Sequence, residues 1–269
     1  MTDEASRESP AVLATAGLTW QVGRANRAGA RAGAGVTIVD GVSLDLRAGE
    51  FLGVIGPNGA GKTSLFNLIS GLRPASAGTV ELLGRDVTRL APHERARRGL
   101  GRTFQASSVF GSLPVRENAR LAAQAHQGGS LRAWRGTKGF RQVAERADEC
   151  LTAVGLQHRG DALAGTLAHG EKRKLEIALL LAGSPRVMLL DEPMAGVASE
   201  DVPELVEVIR GLTGHTGGAV LMVEHHMEVI LGLADRLAVM HHGALLACDA
   251  PDVVMANPVV QEAYLGEEL

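Results

Sequence analysis

The sequence predicts an α/β fold in which a mostly parallel sheet carries helices on both of its faces. Short apolar runs of strand length, such as "FLGVI", "VMLL", "AVLMV" and "RLAVM", alternate along the chain with segments of helical periodicity. The glycine-rich stretch "GPNGAGKT" directly follows the first of these runs and directly precedes a helical pattern. Strand–helix alternation of this kind indicates crossover connections between parallel strands.

The N-terminal part of the chain predicts two strands separated by a loop. Residues 1–11 are polar and predict a disordered tail. The stretches that end in "GLTWQV" and begin with "VTIVDG" predict strands, and the first of them can pair with a later segment. Between them, residues 24–35 form a basic, low-complexity segment of Ala, Gly and Arg, which predicts a flexible solvated loop. The helical pattern after "GPNGAGKT" extends to Leu72.

A helical insert interrupts the alternating pattern between about residues 106 and 184. The patterns "VRENARLAAQA" and "FRQVAERADECLTAVGL" are helical, and we find no convincing strand pattern beside them. A further helix begins near Gly170. The alternation then resumes with a helix whose predicted N-cap is Ser199. Residues 251–269 predict a pair of short helices at the end of the domain.

Composition narrows the class of protein. At 269 residues, with 45% hydrophobic content, the chain can bury the core of one large domain. A net charge of −3 argues against a general nucleic-acid binder. We expect no membrane span, because no uninterrupted apolar run reaches the ~18 residues that a span needs. Cys150 and Cys248 lie far apart without metal-ligand spacing, so we expect two free thiols in a reducing cytosol.

The stretch "GPNGAGKT" matches G-x-x-x-x-G-K-[ST], a pattern that binds nucleotide phosphates. Glycines let backbone N–H groups turn toward phosphate oxygens, the lysine reaches the outer phosphates, and the Thr hydroxyl holds Mg²⁺. A phosphate loop alone does not distinguish kinases, GTPases and transport ATPases. The predicted phosphate-binding residues are Gly56, Pro57, Asn58, Gly59, Ala60, Gly61, Lys62, Thr63 and Ser64.

Two adjacent acids at the end of "VMLLDEP" supply the second part of the predicted chemistry. Asp191 stands at a strand end, where its carboxylate can hold Mg²⁺ through water. The neighbouring Glu192 can orient and deprotonate an attacking water. Strand ends often carry surface acids, but in an alternating chain that also has a phosphate loop this pair indicates nucleotide hydrolysis.

Five short motifs together resemble those of an ABC-type ATPase domain. They are "GPNGAGKTS", "GRTFQ", "LAHGE", "LLDEP" and "MVEHHM", which follow one another in the order and spacing of that family. The run "GRTFQ…VF…LPVREN" and the ending "VVQEAYLGE" most resemble the ATPase subunit of bacterial branched-chain amino-acid importers. The resemblance implies a P-loop NTPase fold for residues 12–269 as a single ABC ATPase domain. It further implies an N-terminal antiparallel β subdomain and a helical subdomain insert.

The resemblance also implies roles for individual residues. Glu192 matches the general base, and His225 matches the histidine that contacts the γ-phosphate of ATP. Gln105 matches the glutamine that reaches Mg²⁺ and the attacking water and links the site to the membrane partner. Together with Thr63 and Asp191, Gln105 would hold the metal. The signature segment, which caps the γ-phosphate of ATP held by the opposite subunit, corresponds to Leu167, Ala168, His169, Gly170 and Glu171.

The signature segment departs from the family pattern at one position. Ala168 stands where the wider family usually has a serine whose hydroxyl donates to the γ-phosphate. Three cations, Lys172, Arg173 and Lys174, also crowd the start of the helix, although helix N-termini favour acids or bound anions. We interpret these cations as tolerated because a triphosphate supplied by the opposite subunit lies nearby. We expect a weakened site rather than an inactive one.

A second departure concerns the nucleotide base. The family places an aromatic residue on an early strand to stack on adenine, and Val22 occupies that position here. Trp20 lies on the same face of the strand at period two and could substitute. Ordinary strand packing of Trp20 is the equally supported alternative.

The resemblance implies ATP and Mg²⁺ as cofactors and a set of protein partners. These are a second ATPase subunit in a homodimer or heterodimer, two membrane-spanning permease subunits and a secreted solute-binding protein. The chain would then be cytoplasmic and peripheral on the inner face of the cell membrane. The alternatives are a lipopolysaccharide-export-type ABC ATPase, a soluble ABC protein acting on ribosomes or DNA repair, and a small-molecule kinase. Cargo stays open among branched-chain amino acids, urea, amides and short peptides.

Overall fold

The computed structural model describes residues 10–23, 35–103, 109–126 and 137–265. The predicted tail and the basic loop therefore lie almost entirely outside the described residues. One boundary is corrected, because the first strand already includes Ala11, which was predicted to belong to the tail. In chain order the helices and strands are β1 (Ala11–Val22), β2 (Val36–Arg47), β3 (Phe51–Ile55), α1 (Lys62–Ile69), β4 (Ala77–Leu82), β5 (Arg85–Asp86), α2 (Pro92–Arg97), β6 (Leu100–Arg102), α3 (Val115–His126), α4 (Thr137–Ala153), α5 (His169–Ala182), β7 (Val187–Asp191), α6 (Val202–Thr216), β8 (Ala219–Val223), α7 (Met227–Leu233), β9 (Arg236–His241), β10 (Ala244–Asp249), α8 (Pro251–Met255) and α9 (Pro258–Leu265).

Two sheets organise the described chain. The first has the strand order β2-β1-β4-β5 and is antiparallel. The second has the order β10-β9-β3-β8-β7-β6, in which the five strands from β9 to β6 are parallel and β10 pairs antiparallel with β9. The predicted α/β class with an antiparallel β subdomain is confirmed. Ligands of such open parallel sheets bind beyond the carboxyl ends of the strands.

Strand register brings three chain positions to one edge of the parallel sheet. Val54 of β3 and Asp191 of β7 both pair with Val223, the last residue of β8. Strands β3, β7 and β8 are buried at every position, which accounts for their continuous apolar sequences. The residues that directly follow these strands therefore emerge side by side from the core.

Helices α3, α4 and α5 follow β6 and precede β7 in the sequence. The three helices pack against one another. The helical spacing of Val115, Ala119 and Ala123 places all three in the core. Short 3₁₀ turns at Gln157–Arg159 and Ala164–Thr166 lead into α5. The described part of this segment contains one isolated bridge, between Pro114 and Leu163, and otherwise only helices and turns.

Several local expectations are corrected. Helix α1 ends at Ile69 instead of Leu72, because Gly71 follows with a φ of 79°. Helix α6 begins at Val202 with Asp201 as its N-cap instead of Ser199. The sequence patterns also missed the short elements β4, β5, β6, β10 and α2. No helix in the described ranges is long and apolar enough to span a membrane.

Candidate functional site

The phosphate loop is held in place by glycines that approach neighbouring backbone. Gly56 follows β3 with a φ of 149°, and a Cβ there would lie 2.1 Å from the carbonyl oxygen of Met240. Gly61 has a φ of 97°, and a Cβ there would lie 2.7 Å from the carbonyl oxygen of Ile38. Larger residues cannot occupy either position without moving backbone. The loop is therefore wedged between the ends of β9 and β2.

Helix α1 begins directly after this loop with an uncompensated N-terminus. Its N-cap is Gly61, which offers no side-chain hydrogen bond, and its first turn contains no acid. The free N–H groups and the positive end of the helix dipole therefore face the loop without an acid in the first turn of the helix. A phosphate group satisfies both requirements, so the local geometry fits the predicted role of residues 56–64.

Lys62 lies folded back onto the loop. Its Nζ atom donates hydrogen bonds to the carbonyl oxygens of Gly56 at 2.6 Å and Pro57 at 2.9 Å. Burial lowers the pKa of Lys62, while the charges of Glu192 and Asp191 oppose that shift. The ammonium group is therefore held close to both predicted acids, and nucleotide phosphates would replace the two carbonyls as its partners.

Asp191 is almost fully enclosed and only partly satisfied. Its Oδ2 atom accepts a hydrogen bond at 2.9 Å from Arg102, and its Oδ1 atom is buried without a hydrogen-bond partner in the described structure. Burial raises the pKa of Asp191, and Arg102 opposes this rise. Mg²⁺ prefers carboxylate and other oxygen ligands, and the unpartnered Oδ1 atom fits such a ligand. Asp191 and Thr63, together with nucleotide phosphates, could therefore hold the metal.

Glu192 and His225 meet at the same edge of the sheet. Glu192 has a left-handed backbone with a φ of 49°, and its N–H donates to the carbonyl of Val223 at 2.9 Å. A non-glycine residue in that region is strained, which is common where a side chain must point in one functional direction. The distance between His225 Nε2 and Glu192 Oε1 is 3.1 Å. The structure thus joins two of the three residues that the resemblance assigned to catalysis.

Glu224 is a further acid beside this centre, and sequence reasoning missed it. Its side chain is 3% exposed, and burial raises its pKa to about 7. The backbone N–H groups of His225 and Met194 bond to this carboxylate and oppose the shift. The available signal was the acid at the end of the otherwise apolar run "LMVE". Arg102 was also missed, although it stands directly inside the motif "GRTFQ".

The signature segment lies at the N-terminus of α5. Ala168 is the N-cap and has no hydroxyl, so only one half of a capping box forms, in which Ala168 N donates to Glu171 Oε2 at 3.1 Å. Glu171 also pairs with Arg159 at 3.1 Å. A Cβ at Gly170 would lie 2.7 Å from Asp201 Oδ2. These contacts fix the helix start against its own chain.

Two of the three cations at the start of α5 have acidic partners within the chain. Lys174 is buried and pairs with Glu204 of α6 at 2.5 Å. Arg173 pairs with Glu176 at 2.8 Å and donates to the carbonyl of Ala195 at 3.4 Å. Two of the three cations are therefore neutralised by this chain, and the triphosphate supplied by the opposite subunit stays a prediction.

Of the remaining predicted positions, the structure describes Trp20 and Val22 but not Gln105. Gln105 lies outside the described residues, between Thr103 and Val109. Trp20 is half-buried beside the core of the first sheet, and the Arg73 guanidinium carbon lies 5.7 Å from its ring centroid. These contacts support the packing interpretation of Trp20. Val22 is 46% exposed at the end of β1.

Comparison with known proteins places the chain in a family. Residues 39–195 match the family described as ABC transporter, and residues 244–269 match the one described as branched-chain amino acid ATP-binding cassette transporter. The chain is 37% identical over 238 residues to the high-affinity branched-chain amino acid transport ATP-binding protein LivG of Salmonella typhimurium, covering 87% of this chain and 93% of that protein. It is 34% identical over 261 residues to BraF of Pseudomonas aeruginosa, a protein with the same description, covering 95% and 98%.

Solved structures agree with this assignment. A crystal structure of an ATP-binding cassette of an ABC transporter in its ADP conformation matches with a TM-score of 0.80 and 29% identity. A nucleotide-free ATP-binding cassette matches with a TM-score of 0.79 and 28% identity. Each match covers 96% of this chain and 100% of the other. With its phosphate loop, paired acids and signature segment in one fold, the chain belongs to the ABC transporter family as an ATP-hydrolysing cassette.

Proposed function

We propose that this chain hydrolyses ATP to energise an importer of branched-chain amino acids or similar small polar solutes. The observation that carries the hydrolytic part is the placement of Lys62, Asp191, Glu192 and His225 at one sheet edge. The observation that favours this cargo is the match of residues 244–269 to a branched-chain amino acid transporter family. The relatives LivG and BraF carry that substrate in their descriptions, which favours import over lipopolysaccharide export.

Nucleotide binding and hydrolysis use different residues in this proposal. Residues 56–64 bind the phosphates, and Lys62 exchanges its two carbonyl partners for phosphate oxygens. Thr63, Gln105 and Asp191 hold Mg²⁺, which when bound neutralises charge on the outer phosphates. Glu192 orients and deprotonates the attacking water, and His225 holds Glu192 and contacts the γ-phosphate.

Residues 167–171 act on ATP bound by a second ATPase subunit. The N-terminus of α5 presents backbone N–H groups. Because the N-cap Ala168 has no hydroxyl, these N–H groups donate the hydrogen bonds to the phosphate oxygens. The second subunit is either another copy of this chain or a related cassette, and ATP closes the two together.

A groove between the sheet and the helical insert offers a site for the membrane-spanning permease. It has a volume of about 1020 Å³ and lies between β6, α2, α3 and α5. Its lining includes the apolar residues Leu72, Leu121, Leu179 and Leu180. It also includes Thr103, which directly precedes the segment that contains Gln105. We place a short permease helix in this groove, with the chain peripheral on the cytoplasmic membrane face and a secreted binding protein outside.

Reconstitution tests the proposed function. The tagged chain is purified with its membrane partners, placed in proteoliposomes, and supplied with ATP inside and labelled leucine with the binding protein outside. We expect uptake that stops with Lys62→Ala, while urea, amides and a lipopolysaccharide precursor serve as competing cargoes. ATP-dependent movement of another cargo without leucine uptake would contradict the import of branched-chain amino acids.

The groove has its own test. We expect Leu121→Glu to abolish copurification of the permease while ATP binding persists, because a charge in an apolar contact is costly to desolvate. Val253→Glu on α8 is the matched control, since Val253 is 52% exposed outside the groove. Equal retention of the permease by both variants would place the docking site elsewhere.

A further inference from the structure

Arg102 makes three partly buried hydrogen bonds at the end of β6. Its Nη2 atom donates to Asp191 Oδ2 at 2.9 Å, and its Nη1 atom donates to Asn67 Oδ1 at 2.9 Å and Ser70 Oγ at 2.7 Å. The side chains of Arg102 and Asp191 are 8% and 1% exposed. A single guanidinium thus joins β6, the end of β7 and the C-terminal end of α1.

The surroundings of this guanidinium hold it in one place. Its carbon lies 5.8 Å from the ring centroid of Phe66 on α1. Asn67 and Ser70 stand at the C-terminal end of that helix, where the helix dipole favours a cation. Strand β6 is also fixed to β7, because Thr103 N donates to the carbonyl of Leu189 at 3.0 Å. The Asp191 carboxylate therefore meets a donor that is anchored from two sides.

Arg102 bonds to one oxygen of the Asp191 carboxylate and not to the other. Oδ2 accepts from Arg102, while the buried Oδ1 has no hydrogen-bond partner in the described structure. We propose that Arg102 is a positioning residue that fixes Asp191 through Oδ2, so that Oδ1 is held ready for Mg²⁺. This inference rests on the proposed function, in which Asp191 is a ligand of the metal.

The shape of the side chain matters as well as its charge. A planar guanidinium can serve the carboxylate with one nitrogen and the two α1 oxygens with another. A lysine ammonium is compact and cannot span both sides in the same way. Arg102→Lys should therefore hold Asp191 less firmly than arginine does and more firmly than an uncharged residue.

A second buried arginine provides the matched control. Arg95 of α2 is 2% exposed, and its Nη1 atom donates to the carbonyls of Leu68 at 2.8 Å and Ile69 at 2.6 Å. It therefore stabilises the same end of α1 as Arg102 does. Its other hydrogen bonds go to the carbonyls of Leu90 and Thr88, and none goes to Asp191.

The test compares binding of a non-hydrolysable ATP analogue by the purified chain in EDTA and in Mg²⁺. We expect Arg102→Met to bind within about twofold of wild type in EDTA and to lose about tenfold of the Mg²⁺-dependent gain, because removing such supporting groups costs roughly 10–100-fold in metal affinity. Arg102→Lys should lose less of the gain. Arg95→Met should lower thermal stability and keep the gain. Mn²⁺ affinity, followed by electron paramagnetic resonance with the analogue bound, should fall in parallel.

Several results would overturn the inference. A Mg²⁺-dependent gain that is unchanged or larger in Arg102→Met would contradict it, as would an equal loss in both arginine variants. Should Arg102→Met not fold, an unchanged gain in Arg102→Lys contradicts the inference and a partial loss supports it. Asp191→Asn separates the two levels, because a gain that survives this change removes Asp191 from the metal site and overturns the proposed function together with the inference.

Discussion

The phosphate-loop half and the signature half of this cassette are built on opposite principles. The phosphate-loop half comprises residues 56–64 with Asp191, Glu192 and His225, and it gathers buried charges of both signs at one sheet edge. The signature half comprises residues 167–171, and it ends in an alanine cap. Two of the three cations beside that cap, Arg173 and Lys174, pair with Glu176 and Glu204 of the same chain.

This difference indicates how each half recognises phosphate. Under the proposed function, side-chain charges and a free helix N-terminus would both act on phosphate in the phosphate-loop half. In the signature half, the described contacts leave recognition to the shape and backbone of the helix start. Substitutions that remove charge should therefore damage the first half, and substitutions that move backbone or add a hydroxyl should reveal the second.

Glycine substitutions should have the largest effects, and they should differ between the halves. A Cβ at Gly56 would lie 2.1 Å from a backbone oxygen, whereas a Cβ at Gly170 would lie 2.7 Å from the side-chain oxygen of Asp201. We expect Gly56→Ala to cost more than about 4 kcal/mol of folding free energy and Gly170→Ala about 1–3 kcal/mol. Urea unfolding measures both, and equal losses would show that the loop is less tightly wedged than its contacts indicate.

The buried acid Glu224, beside the phosphate-loop half, should make stability depend on pH. Glu224 faces Glu192 and Arg173 as well as the N–H groups of His225 and Met194, and burial raises its pKa to about 7 from 4.5. Between those values the native protein keeps a proton that the unfolded chain has lost, so native stability falls as pH rises through this window. We therefore expect the free energy of unfolding of Glu224→Gln, taken relative to wild type, to be on the order of 3 kcal/mol higher at pH 8 than at pH 4.

Urea unfolding of both proteins at the two pH values measures this gain. The difference between the proteins cancels contributions from all other groups that titrate alike in both. If Glu224→Gln differed from wild type in free energy of unfolding by the same amount at pH 4 and at pH 8, Glu224 would not titrate in this range.

Lysine substitutions should separate the two halves by function. Lys62→Ala removes the ammonium that the phosphates would meet, and we expect at least about a 100-fold loss of ATP affinity, since charged hydrogen bonds contribute roughly 1.5–3 kcal/mol each. Lys172→Ala, in the first turn of α5, should leave the affinity of the isolated chain unchanged. Equilibrium binding of a fluorescent ATP analogue measures both. A similar loss in the two variants would mean that the signature half also binds nucleotide of its own chain.

Ala168→Ser should give the smallest effect. The added hydroxyl could cap α5 and donate to a phosphate held by the second subunit, which would raise turnover there several-fold and at most about tenfold. In a transporter that pairs this chain with a related cassette, combining Ala168→Ser with Lys62→Ala confines activity to that partner site. No increase in ATPase rate would mean that the backbone N–H groups already saturate the capping.

Local sequence patterns predicted the buried strands that carry the phosphate loop and the paired acids. "GPNGAGKT" follows the buried strand β3, and "LLDEP" begins inside the buried strand β7 and runs past its end. Parallel strands place their ends at one edge whatever lies between them in the chain. Arg102 and its bond to Asp191 were not predictable, because the partners are separated by 89 positions and meet only through the pairing of β6 with β7. The pairing of Lys174 with Glu204 likewise depends on how α5 packs on α6. The two-residue strand β5 and the three-residue strand β6 carry too few residues for a reliable period.

The hydrolytic role of Glu192 is the central claim, and one paired measurement tests it most directly. The Glu192→Gln variant keeps the shape of the side chain and removes its ability to accept a proton. We predict ATP affinity within about twofold of wild type together with a fall in turnover on the order of 10²–10⁴ in the assembled transporter. Near-normal turnover by the correctly assembled variant would contradict the account and assign the base to another residue.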